Sequence, residues 1–157
     1  MSAAILDERE LLSLDADATQ ALAARLATVA RAGDLLCLWG DLGAGKTQFA
    51  KGFGAGLGVT DTINSPTFVL MAEYAGRLPL FHVDLYRLDD VRDALAGGLL
   101  DERQAGGVTL VEWPDRMLDV LPESRLDVTI DGLGDDPRTI RLAARNPPLR
   151  RYLEVAG

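Results

Sequence analysis

The run Gly40-Asp41-Leu42-Gly43-Ala44-Gly45-Lys46-Thr47 constrains this chain more than any other stretch. It matches G-x-x-x-x-G-K-[ST] at every specified position. Glycines let a backbone close around phosphate oxygens, with successive N–H groups turned inward as a nest of donors. In that arrangement Lys46 supplies positive charge to the β- and γ-phosphates, and the Thr47 hydroxyl ligates Mg²⁺. An apolar run, Leu35-Leu36-Cys37-Leu38-Trp39, precedes the loop, and a helix-compatible segment, Gln48-Phe49-Ala50-Lys51, follows it. Strand, glycine loop and helix are the order this chemistry needs, because a helix N-terminus adds partial positive charge at the phosphates. The nucleotide is therefore expected against Asp41, Leu42, Gly43, Ala44, Gly45, Lys46, Thr47 and Gln48.

The remaining segments read as an α/β chain. A polar lead runs to a helix start near Asp15, where Asp17 and Gln20 have capping-box spacing. Leu22, Leu26 and Val29 mark that helix's apolar face, Gly33 is a candidate stop, and Thr19 a candidate base contact. Behind the glycine loop, Phe49, Phe53 and Leu57 form a core stripe. Gly52, Gly54 and Gly56 there are poor helix formers, so the helix either packs very closely on the sheet or ends early. Residues 69–74 and 78–84 read as strands joined by Ala75-Gly76-Arg77, a hairpin that makes the sheet mixed rather than wholly parallel. Residues 89–100 have helical spacing, residues 108–111 form a buried strand, and residues 115–121 fit a short helix. Residues 126–130 and 139–142 alternate around a Gly/Asp/Pro turn, as an antiparallel extension of the sheet. The tail from Asn146 starts a terminal helix. The expected fold is a three-layer α/β domain of the phosphate-loop NTPase kind, a mixed, partly parallel central sheet flanked by helices, over residues 1–157.

Composition narrows the setting. A chain of 157 residues is large enough for one buried core. It has no apolar run long enough to span a membrane, and its start lacks the basic and apolar regions of a signal peptide. One cysteine, Cys37, excludes a disulfide framework and reads as a small core residue. These features predict a cytoplasmic protein. A net charge of −8 argues against broad nucleic-acid binding, and it requires a nucleotide to be held by local donors and a metal ion.

A phosphate loop needs an acid at the end of a neighbouring strand to complete its Mg²⁺ site. Asp84 ends Leu80-Phe81-His82-Val83, and Glu112 ends Val108-Thr109-Leu110-Val111. Both fall where ligands collect in open α/β sheets. One carboxylate can serve the metal and the other the attacking water, and spacing alone does not divide the roles. Ser65 and Thr67 lie where a switch segment sensing γ-phosphate and Mg²⁺ is often found. Trp113 is placed either to cover the nucleotide or to serve as a buried aromatic after its strand, and Arg87 to meet transition-state charge or form a structural ion pair. His82, the only histidine, reads as a core or rim residue rather than a base.

Four segments together carry a family resemblance. Residues 40–47, Ser65-Pro66-Thr67-Phe68, His82-Val83-Asp84-Leu85-Tyr86-Arg87-Leu88 and Val111-Glu112-Trp113-Pro114 resemble the TsaE (YjeE) ATPases in order and approximate spacing, over nearly the whole chain. That resemblance implies a cytoplasmic ATPase needed for threonylcarbamoyladenosine at position 37 of tRNA. It implies TsaB and TsaD as protein partners, with tRNA met only through that complex. It further implies Thr47 and Glu112 as Mg²⁺ ligands and Asp84 acting on the hydrolytic water. Lys46 would bind the ATP phosphates, Thr67 would lie in the switch-like loop, and Trp113 would lie at the nucleotide. The alternatives are a small-molecule kinase, a GTP-dependent switch and a non-catalytic nucleotide scaffold on the same fold. No Asn-Lys-x-Asp-like guanine reader appears, and the acidic segment 88–103 is a poor phosphate lid.

Overall fold

The computed structural model describes residues 5–64, 71–86 and 102–157. The switch-like segment with Ser65 and Thr67, Arg87 and the helix expected over 89–100 lie outside them. Seven strands form one sheet: β1 (Asp7–Ser13), β2 (Leu35–Trp39), β3 (Met71–Tyr74), β4 (Leu80–Asp84), β5 (Val108–Glu112), β6 (Leu126–Asp131) and β7 (Arg138–Ala144). Their order is β1-β7-β6-β2-β5-β4-β3. The four central strands β6, β2, β5 and β4 run parallel, while β3, β7 and β1 are antiparallel to their neighbours. The sheet is mixed and partly parallel, as the sequence predicted. The β6–β7 pair is antiparallel as expected, but β6 itself joins the parallel core through β2.

Three α-helices complete the described fold: α1 (Ala16–Ala27), α2 (Lys46–Gly56) and α3 (Arg150–Ala156). Leu22 and Leu26 of α1, Phe49 and Phe53 of α2, and Tyr152 and Leu153 of α3 share one core with Leu36, Leu38, Leu110 and Val128 of the sheet. A smaller core on the other face joins Cys37, Val83 and Val111 to Met117 and Leu121, around the short 3₁₀ segment Pro114–Val120. Burial, and then the nearby Asp127 charge, push the Cys37 thiol pKa far up, so it behaves as a small apolar residue. None of the described helices is long and apolar enough to cross a membrane.

Four local readings change. The polar lead is a strand: β1 pairs with β7 from Asp7↔Ala144 to Ser13↔Arg138. Asp15 caps α1, two residues before the expected Asp17, accepting from the Ala18 N–H at 2.8 Å. The helix also closes at Thr28, short of Gly33, whose N–H instead donates to Gly107. The hairpin linker is two residues longer than expected, because β4 starts at Leu80 rather than Leu78.

The glycine-dense helix does not end early. It runs to Gly56, and its closest backbone approach is to α1 rather than to the sheet. A Cβ added at Gly52 would lie 2.2 Å from the Gln20 carbonyl oxygen, and one at Gly56 would lie 2.5 Å from that of Ala24. These pairs repeat at i and i+4 on both helices, so the backbones meet along a smooth stripe. Gly52→Ala would raise helix propensity by up to about 1 kcal/mol. No rotamer relieves an overlap with backbone, however, so we expect a net loss of about 2–4 kcal/mol. Thermal unfolding checks this: the midpoint should fall by roughly 5–15 °C, and an unchanged midpoint would contradict the close approach.

Candidate active site

Two devices set the start of the glycine loop. On the face away from the three described α-helices, buried Asp127 accepts from Trp39 Nε1 at 2.8 Å, Arg125 Nε at 2.9 Å and Arg145 Nε at 2.6 Å. Trp39 is thus pinned immediately before Gly40. The loop then passes so close to β6 that a Cβ at Gly40 would lie 2.6 Å from the Ile130 carbonyl oxygen. Gly45 enters α2 at φ +113, a region L side chains rarely occupy. Asp41 and Leu42 stand exposed at the loop tip, Ala44 is buried, and Gln48 Oε1 accepts from Gln20 Nε2 at 2.6 Å.

A residue outside the sequence-predicted set braces this loop. Arg138, at the start of β7, donates through Nε to the Ala44 carbonyl at 2.8 Å and through a terminal nitrogen to Gly134 at 2.8 Å. It ties the β6–β7 turn to the glycine loop across 94 positions of sequence, a link no local pattern signals. A cavity of about 250 Å³ lies between that turn and the start of α1, lined among others by Asp15, Thr19, Ala44, Gln48, Asp135 and Arg138. Thr19 does reach it, although its hydroxyl already bonds Ser13 Oγ at 2.6 Å. If this loop is the seat of ATP, Arg138→Ala should weaken that binding about tenfold, the worth of one charge-assisted hydrogen bond. Calorimetric titration of the variant with Mg·ATP checks this.

Lys46 is 5 % exposed. Its Nζ donates to the Gly40 carbonyl at 2.5 Å and sits 3.5 Å from the centre of the Trp113 ring. Trp113 takes φ +59, an uncommon conformation for a bulky residue, and this sharp turn after β5 folds its indole back over the lysine. Tyr86 packs against that indole at a tilt of 47°, with ring centres 4.9 Å apart. Burial lowers the Lys46 pKa, and the carboxylates of Glu112, Asp115, Asp84 and Asp41 oppose it, Glu112 most strongly.

The two candidate acids are register partners on adjacent parallel strands, Asp84↔Glu112. Strand alternation puts both on the α1–α2 side of the sheet, in line with buried Leu80 and Leu110. Asp84 is partly open, and its Oδ1 accepts from the Tyr86 N–H at 2.9 Å. Burial raises its pKa above the usual carboxylate value, the Tyr86 N–H lowers it, and the Glu112 charge raises it again. Glu112 is buried, and His82 Nε2 lies 2.5 Å from its Oε2. The structure therefore gathers Lys46, Asp84, Glu112 and Trp113 at one end of the central strands, with Thr47 beside Lys46 in the first turn of α2. Thr67 lies outside the described residues. Tyr86, Asp115 and Arg138 are the neighbours that sequence reading missed.

This donor set suits a hard cation. A hydroxyl and carboxylates are oxygen ligands, and Mg²⁺ characteristically takes one or two carboxylates and completes its shell with phosphate oxygens and water. Among the described residues no group of three or more His, Cys, Asp or Glu side chains could hold a metal alone.

The family model for "Threonylcarbamoyl adenosine biosynthesis protein TsaE" matches residues 13–140. The chain belongs to the TsaE family. It is 47% identical over 134 residues to the tRNA threonylcarbamoyladenosine biosynthesis protein TsaE of Bacillus subtilis, spanning 84% of this chain and 83% of that protein. The corresponding Streptomyces coelicolor protein is 42% identical over 124 residues, 76% of this chain and 84% of the relative. Among solved structures, that of YdiB from Bacillus subtilis superposes with a TM-score of 0.79 at 35% identity, covering 98% of this chain and 97% of the other. The match begins at Ser13, so β1 lies almost wholly before the residues matched by the TsaE model.

Proposed function

We propose that this TsaE-family chain is a cytoplasmic, Mg²⁺-dependent ATPase that serves threonylcarbamoyladenosine formation at position 37 of tRNA, acting with a TsaB–TsaD pair. The observation that carries the reading is the convergence of Lys46, Asp84, Glu112 and Trp113 beside the glycine loop. Family membership supplies the pathway; the geometry supplies the chemistry.

In this reading the loop N–H groups and the α2 N-terminus bind the phosphates, and Lys46 leaves Gly40 and the Trp113 ring to meet the β- and γ-oxygens. Thr47 and Glu112 would hold Mg²⁺, which would supply positive charge against the phosphates. Asp84 accepts a proton from the attacking water, the role its raised pKa suits. The nucleoside end lies in the cavity between α1 and the β6–β7 turn, which shares Gly43, Ala44 and Gly45 with the loop. The net charge of −8 fits a subunit that meets tRNA through its protein partners.

Deleting the gene and measuring threonylcarbamoyladenosine in total tRNA tests the assignment. The modification should be lost, restored by the wild-type gene and not restored by Lys46→Ala. Undiminished modification in the deletion strain would overturn it.

A further inference from the structure

The single histidine makes an unusual contact for a core residue. His82 is fully buried in β4, with Nε2 directed at Glu112 Oε2 at 2.5 Å. Its other ring nitrogen, Nδ1, is buried without a hydrogen-bond partner among the described residues. Packing does not require this. Leu80 and Leu110, on the same face of the sheet, are fully buried apolar residues, and an apolar side chain at position 82 would leave no ring nitrogen unsatisfied.

We propose that His82 is a positioning residue that holds the Glu112 carboxylate in the orientation needed to ligate the nucleotide-bound divalent cation. The proposal rests on Glu112 being the metal ligand in the reading above. In this arrangement Nε2–H donates to Oε2, and Nδ1 has no partner among the described residues. The last torsion of a glutamate is soft, so its carboxylate needs a partner to fix its plane. Lys46 competes for that partnership, since Glu112 acts on it more strongly than the other three carboxylates do. A Glu112 closed onto Lys46 would remove the metal ligand and the phosphate-binding lysine together. By engaging Oε2, His82 opposes that collapse and leaves Oε1 for the cation.

The test uses the full chain and ADP, with affinity measured calorimetrically in EDTA and across Mg²⁺ concentrations. In wild type, Mg²⁺ should tighten ADP binding. His82→Leu should raise the Mg²⁺ concentration for half of that effect by about tenfold or more, the usual cost of losing an outer partner of a metal ligand. ADP affinity in EDTA should stay within about twofold. His82→Gln, which keeps an N–H donor, should recover part of the loss. A wild-type Mg²⁺ midpoint in His82→Leu would overturn the proposal, as would equal losses with and without Mg²⁺. Glu112→Gln separates the two levels. If it too leaves the midpoint unchanged, the ligand assignment falls; if it alone abolishes the Mg²⁺ effect, only the role of His82 falls. Should His82→Leu fail to fold, proton NMR of the wild type decides, because one histidine gives one imidazole N–H resonance. That resonance should move as Mg²⁺ is added with ADP, and not in Glu112→Gln; a resonance fixed in the wild type would overturn the proposal.

Discussion

Asp84→Asn is expected to slow ATP hydrolysis about 10²–10⁴-fold, the range for loss of a general base, while ATP binds no more weakly and the fold is no less stable. The three outcomes share one cause. Asp84 is partly removed from water and faces Glu112, and both effects disfavour its charge, with only the Tyr86 N–H and nearby positive groups in opposition. A carboxyl whose folded pKa lies above its unfolded value ionises more readily in the unfolded chain. Its charge therefore costs stability at pH values above the folded pKa, and the cost disappears as pH falls below the unfolded value. Asparagine removes that cost at neutral pH, so the melting temperature should hold or rise. The acid limb of the hydrolysis profile should lie above the ordinary carboxylate range in wild type and be absent in the variant. Full hydrolysis by Asp84→Asn would move the protein toward a scaffold role.

The second large effect concerns binding. Lys46→Ala should weaken ATP affinity about a hundredfold, near 3 kcal/mol, the upper end for a hydrogen bond to a charged group. Four carboxylates act on Lys46, and without it their field would face the nucleotide phosphates directly. Lys46→Arg should not rescue binding, because a longer stem ending in a forked guanidinium cannot put a compact point charge where the ammonium sits, between the Gly40 carbonyl and the Trp113 ring. In the proposed reading the lysine leaves that ring when ATP binds, so Trp113 fluorescence should change on titration and report the affinity. An affinity within about threefold of wild type for Lys46→Ala would remove the lysine from the site.

What the sequence disclosed follows a physical division. The glycine loop is legible because close backbone approach to phosphate admits few residue types, and Gly40 and Gly45 fill positions where a side chain would clash or strain. Asp84 and Glu112 are legible because a carboxylate ending an apolar strand is a local pattern with a chemical consequence. The hairpins announce themselves through turn residues. β1 does not, because as an edge strand with most of its residues exposed it carries little apolar alternation, and its pairing with β7 is a contact between the two ends of the chain. Gly52 and Gly56 could be seen as anomalous but not explained, since the surface they meet belongs to α1. Arg138 and the cavity it lines were invisible for the same reason. His82 lies in the core, as its place in an apolar strand predicts, but its ring is not fully satisfied there, and only its proximity to Glu112 gives it a task.

The most direct measurement is ATP hydrolysis by the purified chain, alone and with a TsaB–TsaD pair, for wild type and Asp84→Asn at saturating Mg²⁺. Completion of the site by closure on a partner predicts slow turnover alone, a changed rate with the pair, and loss of turnover in the variant under both conditions. A wild-type chain that binds no Mg·ATP, or an Asp84→Asn variant that hydrolyses it as fast as wild type, would contradict the account.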